Sequence, residues 1–269
     1  MYQFKYDKHN KYHRAVQQTA IVIVSLVIFV EAWWVLSILA NTPAVPTPGE
    51  TWDALVNLVN NGDTVTDISL WSYIGASLGT FLKGFLLALL VAVPLGLILG
   101  TFNTLNEFAT PIIEILRPIA PIAWAPILIL AINYTIGPIL VVFIGIFFPL
   151  LTNVVFGVSK IDSSLLDAAK TLGASRAQIF VKVMVPSTVP YIMNGVKVGL
   201  GIGWMCIVAA ELYAPTLAGI GYFLSEQATL GYWPGAFAAI IVIAVLGLLT
   251  TGVAEYVHKF IAKRMGMDV

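Results

Sequence analysis

Charge is what this sequence has least of. Asp, Glu, Lys and Arg together make up 10% of its 269 residues, against roughly a quarter in an average soluble domain. A chain with so little charge cannot cover a water-facing surface. Its 14 basic and 14 acidic residues cancel. It therefore lacks the net basic face that neutralises phosphates, and nucleic-acid binding is excluded. A single cysteine, Cys206, rules out a disulfide scaffold, and three histidines beside it leave almost nothing for a zinc site. No Gly-x4-Gly-Lys-Ser/Thr phosphate loop occurs, so this chain is not itself an ATPase. Hydrophobic residues make up 59%, which excludes disorder. What remains is an integral membrane protein.

A membrane helix needs about 20 mostly apolar residues. Six such segments are expected, near Val16–Leu39, Gly84–Leu99, Ile112–Ile132, Pro138–Val158, Val189–Leu212 and Ala236–Val257. Their apolar runs are continuous, without the alternation of a barrel wall. The first follows a basic stretch (Lys5, Lys8, Lys11, Arg14), as a signal peptide would. Its run is about twice the usual h-region length and no small-x-small site follows, so an uncleaved anchor is expected.

Basic residues set the orientation. They occupy the N-terminal tail, the Ser159–Thr188 stretch (Lys160, Lys170, Arg176, Lys182) and the C-terminal tail (Lys259, Lys263, Arg264). The alternate connections, Asn41–Leu82, Asn133–Gly137 and Tyr213–Gly235, contain neither Lys nor Arg and hold Glu50, Asp53, Asp63, Asp67 and Glu226. Both termini are therefore expected inside, with Lys83 reaching the outer interface from the second span. Trp33, Trp34 and Trp52 fall where interfacial anchors sit. Three prolines forbid a helix over Thr42–Gly49. Gly49–Asn60 then reads as an amphipathic surface helix with Trp52, Leu55, Val56 and Val59 on its apolar face. The whole chain, 1–269, is expected to form one membrane domain. Within it, 16–67 is the first span with the external segment, 68–260 the core, and 159–188 the long inner loop.

In that loop Asp162, Ser163 or Ser164 is placed to cap a helix. Leu165, Leu166, Ala169 and Leu172 form one apolar face, and Gly173 stops the helix. A second helix follows, with Ile179, Phe180 and Val183 apolar, until Pro186. Ala168, Ala169, Ala174 and Ala177 give the loop a small-residue face on which another protein can pack closely.

The spacing Asp167-Ala168-Ala169, three residues, Gly173, nine residues, Val183-Met184-Val185-Pro186 resembles the EAA loop of ABC importer permeases. Asp replaces the family's Glu, and Val replaces two other aliphatics. Arg117-Pro-Ile-Ala-Pro-Ile-Ala-Trp-Ala-Pro126, Gly199-x-Gly-x-Gly-Trp204, Ala209-Ala-Glu211 and Gly219-Ile-Gly-Tyr222 extend the likeness to the nitrate/sulfonate/taurine/bicarbonate subfamily, over roughly Ser77 to Val257. The resemblance implies an all-α fold of six transmembrane helices, of the type I (MetI-like) importer kind. It also implies two copies of a cytoplasmic ATPase that bind ATP and Mg, with no cofactor on this chain. An extracytoplasmic solute-binding protein and a second permease copy complete the machine, in the inner (plasma) membrane of a prokaryote. Leu165, Asp167, Ala168, Ala169, Leu172, Gly173 and Arg176 would couple to the ATPase. Its closure would rock the spans as rigid bodies between inward and outward access.

Polar residues within spans are candidates for the path: Asn153, Trp204 and Glu211. A carboxylate on an anion path would repel its substrate, so Glu211 also reads as a gate or a structural residue. Gly195, Gly199 and Gly203, at four-residue spacing, leave one helix face bare. That face is either a dimer seam or packing within one bundle, and Gly96-x3-Gly100 reads as packing. A secondary transporter would show repeated halves or mid-membrane ionisable residues, and a membrane enzyme would show clustered acids, histidines or cysteines. Neither pattern is evident.

Overall fold

The structure, a computed structural model, describes residues 11–213 and 219–264. Lys5, Lys8 and His9 lie outside them. Every regular element among the described residues is helical: α1 (Lys11–Ala40), α2 (Pro48–Asn61), α3 (Leu70–Thr101), α4 (Asn103–Leu116), α5 (Pro121–Ala131), α6 (Ile136–Ser159), α7 (Ser163–Thr171), α8 (Arg176–Ile179), α9 (Val185–Leu212), α10 (Ile220–Thr229) and α11 (Trp233–Arg264). A π-helical turn over Phe180–Met184 joins α8 to α9 without a break. Five of these stretches are long and apolar enough to cross a membrane alone. The pair α4 and α5 is long and apolar enough for a sixth only if taken together, and it is bent by 86°.

That bend corrects the expected straight span over Ile112–Ile132. Pro118 and Pro121 have no backbone N–H, and Ala120, before Pro121, takes the non-helical ψ of 128° that a pre-proline residue prefers, so the chain turns between Arg117 and Ala120. The second span also differs. α3 begins at Leu70, capped by the Ser69 hydroxyl, which accepts from the Ser72 N–H at 3.3 Å. Polar Ser72, Ser77 and Lys83 dilute the hydropathy of its outer turns but do not break the helix. The outer connection before α11 likewise contains α10, and α11 starts at Trp233.

α6 is the central helix. Val141, Val142, Ile146, Leu150 and Val154 on it have no exposed surface. In lipid the association of apolar helices rests on close packing, because the tails are as apolar as leucine. The sequence supplies this closeness with glycine. A Cβ on Gly84, Gly96 or Gly100 of α3 would fall 2.7, 2.7 and 2.6 Å from Val142, Val154 and Val158 of α6. On the other flank, Gly195, Gly199 and Gly203 of α9 meet Asn153, Ile146 and Ile146 at 2.9, 2.8 and 2.8 Å. The bare face of α9 is thus filled by α6 of the same chain.

α2 is held by a capping box. The Glu50 N–H donates to the Thr47 hydroxyl at 3.2 Å, and the Thr47 N–H donates to the Glu50 carboxylate at 2.8 Å. Its buried face is Thr51, Ala54 and Leu58, not the expected Trp52, Leu55, Val56 and Val59. Of the latter only Leu55 is half-buried, and Trp52, at 62% exposed, faces outward. Small residues won the inner face because α11 approaches closely there. α1 stands apart, with 6% of its apolar window buried. It is pinned at one end, where the Trp33 indole N–H donates to the Pro46 carbonyl at 3.1 Å and the ring stacks on Phe237.

Candidate coupling loop and translocation site

α7 and α8 form the helical turn between α6 and α9. Asp162 is the N-cap of α7, and its carboxylate accepts from the Ser164 N–H at 2.8 Å. That bond holds the carboxyl below the usual carboxylate range. At the other end the Gly173 N–H donates to the Lys170 carbonyl, and the Ala174 N–H to Ala169, at 2.9 and 3.0 Å. This is a Schellman cap, and it sets Gly173 at φ +78°, where only glycine is unstrained. Ser175 and Gln178 cap α8 reciprocally, so both short helices are fixed by their own sequence.

The face of α7 is divided. Leu166 and Ala169 are half-buried, whereas Leu165 and Leu172 are 53% and 87% exposed and Ala168 is exposed between them. Asp167 is also exposed, paired with Lys170 at 2.9 Å, and Arg176 is exposed at the start of α8. A Cβ on Gly173 would meet nothing within 4 Å. The loop presents an apolar, small-residue surface that this chain leaves uncovered.

The three expected path residues do not share one cavity. Trp204 is buried, stacked on Phe81 at 4.8 Å, and its indole N–H donates to the Thr250 hydroxyl at 2.8 Å. Asn153 bridges α6 and α9. Its amide donates to the Pro149 carbonyl at 2.8 Å, and its oxygen accepts from the Asn194 amide at 2.8 Å.

Glu211, 2% exposed, closes a junction of α3, α9 and α10. The Ser77 hydroxyl lies 2.7 and 2.9 Å from its two oxygens, and the Gly221 N–H donates to one of them at 2.8 Å. Ser77 in turn accepts from the Ile220 N–H at 2.9 Å. Glu211 and Ser77 thereby satisfy the first two N–H groups of α10. A Cβ on Gly219 would overlap the carboxylate at 2.2 Å, so the glycines flanking Ile220 make room for it.

Sequence reasoning did not find Ser77, since a lone serine in an outer turn carries no signal. It also missed an ion pair between Lys197 of α9 and Glu255 of α11. There the signal was available: Lys197 is the one basic residue of the fifth span. Beneath α2, buried Asp63 accepts from Thr66, Tyr73 and Gln227 at 2.6, 3.1 and 3.2 Å. Partial burial and the charge of Asp63 push nearby Glu226 up. No group of three or more metal-ligating side chains occurs among the described residues.

Residues 92–263 match the family described as binding-protein-dependent transport system inner membrane component. The chain is 34% identical over 241 residues to a putative ABC transporter permease protein of Methanocaldococcus jannaschii, covering 87% of this chain and 88% of that one. It is 31% identical over 238 residues to the taurine transport system permease protein of Escherichia coli (87% and 85% covered). It is 34% identical over 220 residues to a nitrate import permease protein of Leptolyngbya laminosa (81% and 77% covered). Its fold is similar to a chain of the MetNI methionine ABC transporter in inward-facing conformations. The TM-score is 0.61 at 16% identity, covering 71% of this chain and 97% of that one.

Proposed function

Because this chain belongs to the family of binding-protein-dependent transport system inner membrane components, and is a permease subunit of an ABC importer, we propose the following assembly. Two copies form a translocation path for a small anion or small organic solute, of the nitrate, bicarbonate, sulfonate or taurine class. Each copy seats α7 on one of two cytoplasmic ATPase subunits, which bind ATP and Mg. An extracytoplasmic solute-binding protein delivers the solute. Both termini lie on the ATPase side, in the inner membrane of a prokaryote.

The observation that carries this reading is the exposed Leu165–Ala168–Leu172 face on α7. A fully buried leucine gains roughly 1.5–3 kcal/mol over an exposed one, so an uncovered pair of leucines on a rigidly capped helix is a site waiting for a partner. The basic residues concentrated around α7 and the tails support the orientation. The relatives' names support the solute class.

Purification in mild detergent followed by native mass spectrometry tests the assembly. Two copies of this chain with two of an ATPase are expected. A lone chain that still transports in vesicles without ATP would replace the proposal with a secondary transporter.

A further inference from the structure

The contact between α9 and α11 has two sides of opposite character. On one side lies a groove of about 510 Å³ between α3, α9 and α11. Its lining includes Leu82, Phe85, Val196, Leu249 and Val253, and its one polar side chain, Thr250, is already bonded to Trp204. This side suits lipid. Lys197 and Glu255 follow the groove residues Val196 and Ala254 by one position. About 100° of helix rotation per residue turns them out of the groove.

There the Lys197 ammonium pairs with Glu255, whose other oxygen lies 3.5 Å from Lys259. Two cations share one carboxylate, so the cluster keeps one net positive charge. Asn194, one turn before Lys197 on α9, is exposed and bonds only to Asn153. Gly201, one turn after, is exposed with nothing within 4 Å of its would-be Cβ. Ionisable side chains at membrane depth are costly and face a bundle interior or a water-filled cavity, so this strip does not face hydrocarbon.

We propose that the Asn194–Lys197–Gly201 face of α9 lines the path between two copies, and that the Lys197 ammonium is its anion contact, with Glu255 as the counter-ion that holds it between substrates. When an anion takes Lys197, Glu255 retains Lys259 and is not left unpaired. The inference rests on the permease reading above and deepens it.

The test uses the complete transporter, with its ATPase and binding protein, in inside-out vesicles. Cys206, which is buried, is first replaced by alanine. Asn194→Cys is then exposed to anionic sulfonatoethyl or cationic trimethylammonium-ethyl methanethiosulfonate. Relative to its rate with a free thiol in solution, the anionic reagent is expected to be favoured over the cationic one, and Lys197→Gln to slow the anionic reagent about fivefold, as loss of a nearby unit charge in water would. Val253→Cys in the apolar groove is expected to stay unreactive. Lys197→Arg is expected to keep transport of the solute, and the exchange Lys197→Glu with Glu255→Lys to fail to restore it.

Three results would overturn the proposal: silence at position 194, an unchanged charge preference without Lys197, or full rescue by the exchange, which would make the pair purely structural. Each is read on complexes that still contain the ATPase, so failure here is distinct from failure of the permease reading.

Discussion

Glu211 offers the sharpest test of how this bundle is held where α3, α9 and α10 meet. Among the described residues its carboxylate is the only acceptor for the Ser77 hydroxyl and the Gly221 N–H, and it sits at 2% exposure. Glu211→Gln keeps the shape but presents an amide NH2 to one of those donors. One charge-assisted bond is lost, worth roughly 1.5–3 kcal/mol. At roughly 2–4 °C per kcal/mol for a chain of about this size, a loss of about 2 kcal/mol lowers the midpoint by about 4–8 °C. Ser77→Ala leaves the Ile220 N–H without a partner and is expected to cost roughly 1–3 kcal/mol. Because both residues serve one junction, the double variant should lose less than the sum of the two. The chain provides its own reporter. Cys206, its single cysteine, is 4% exposed, so a thiol-reactive fluorogenic dye reads unfolding directly. A Gln variant melting within about a degree of the parent, or strict additivity with Ser77→Ala, would refute the junction as drawn.

Gly173→Asp should abolish transport while the protein stays in the membrane, since the new side chain enters open space over α7 where the proposed ATPase contact lies; vesicle uptake beside an immunoblot decides. Leu172→Asp, at an 87% exposed position, should remove the ATPase from a pull-down without moving the melting midpoint. Gly199→Leu forces atoms into Ile146, only 2.8 Å from the Cβ position. It should destabilise by about 1–3 kcal/mol or more, seen with the same Cys206 dye. Asp162 has its pKa lowered by the Ser164 N–H. Its capping is therefore present above the ordinary carboxylate range and lost as pH falls through the lowered value. After correction for the intrinsic slowing of exchange at low pH, the protection of α7 amides should fall on acidification, and Asp162→Asn should remove that dependence.

The helical class, five of the six expected spans and the capped loop between α6 and α9 were legible because hydropathy runs and the Asp162 and Gly173 signals are all local. The break at Arg117–Ala120 was also written locally, in Pro118 and Pro121, but a continuous apolar run masked it. The early start of α3 was hidden for the opposite reason, because polar residues that suit an outer turn dilute hydropathy. The inner face of α2 was not legible. Hydrophobic periodicity selects the most apolar face, whereas the packing selected the smallest one, Thr51 and Ala54. Partners far apart in sequence left no trace at all. Ser77 meets Glu211 across 134 positions, and nothing near either residue announces the other.

From Arg176 to Leu212 the helix runs 37 residues without a joint, about 55 Å at 1.5 Å per residue. A hinge would let a push on α8 dissipate before reaching the middle of the membrane. Here no such joint lies between the short capped helices and Lys197 or, last, Glu211 on the same helix. The single wide turn over Phe180–Met184 is the only place where this rod departs from α geometry, and it lies at the loaded end. The rod therefore acts as a shaft that ties the short capped helices at one end to the Ser77–Glu211 junction at the other.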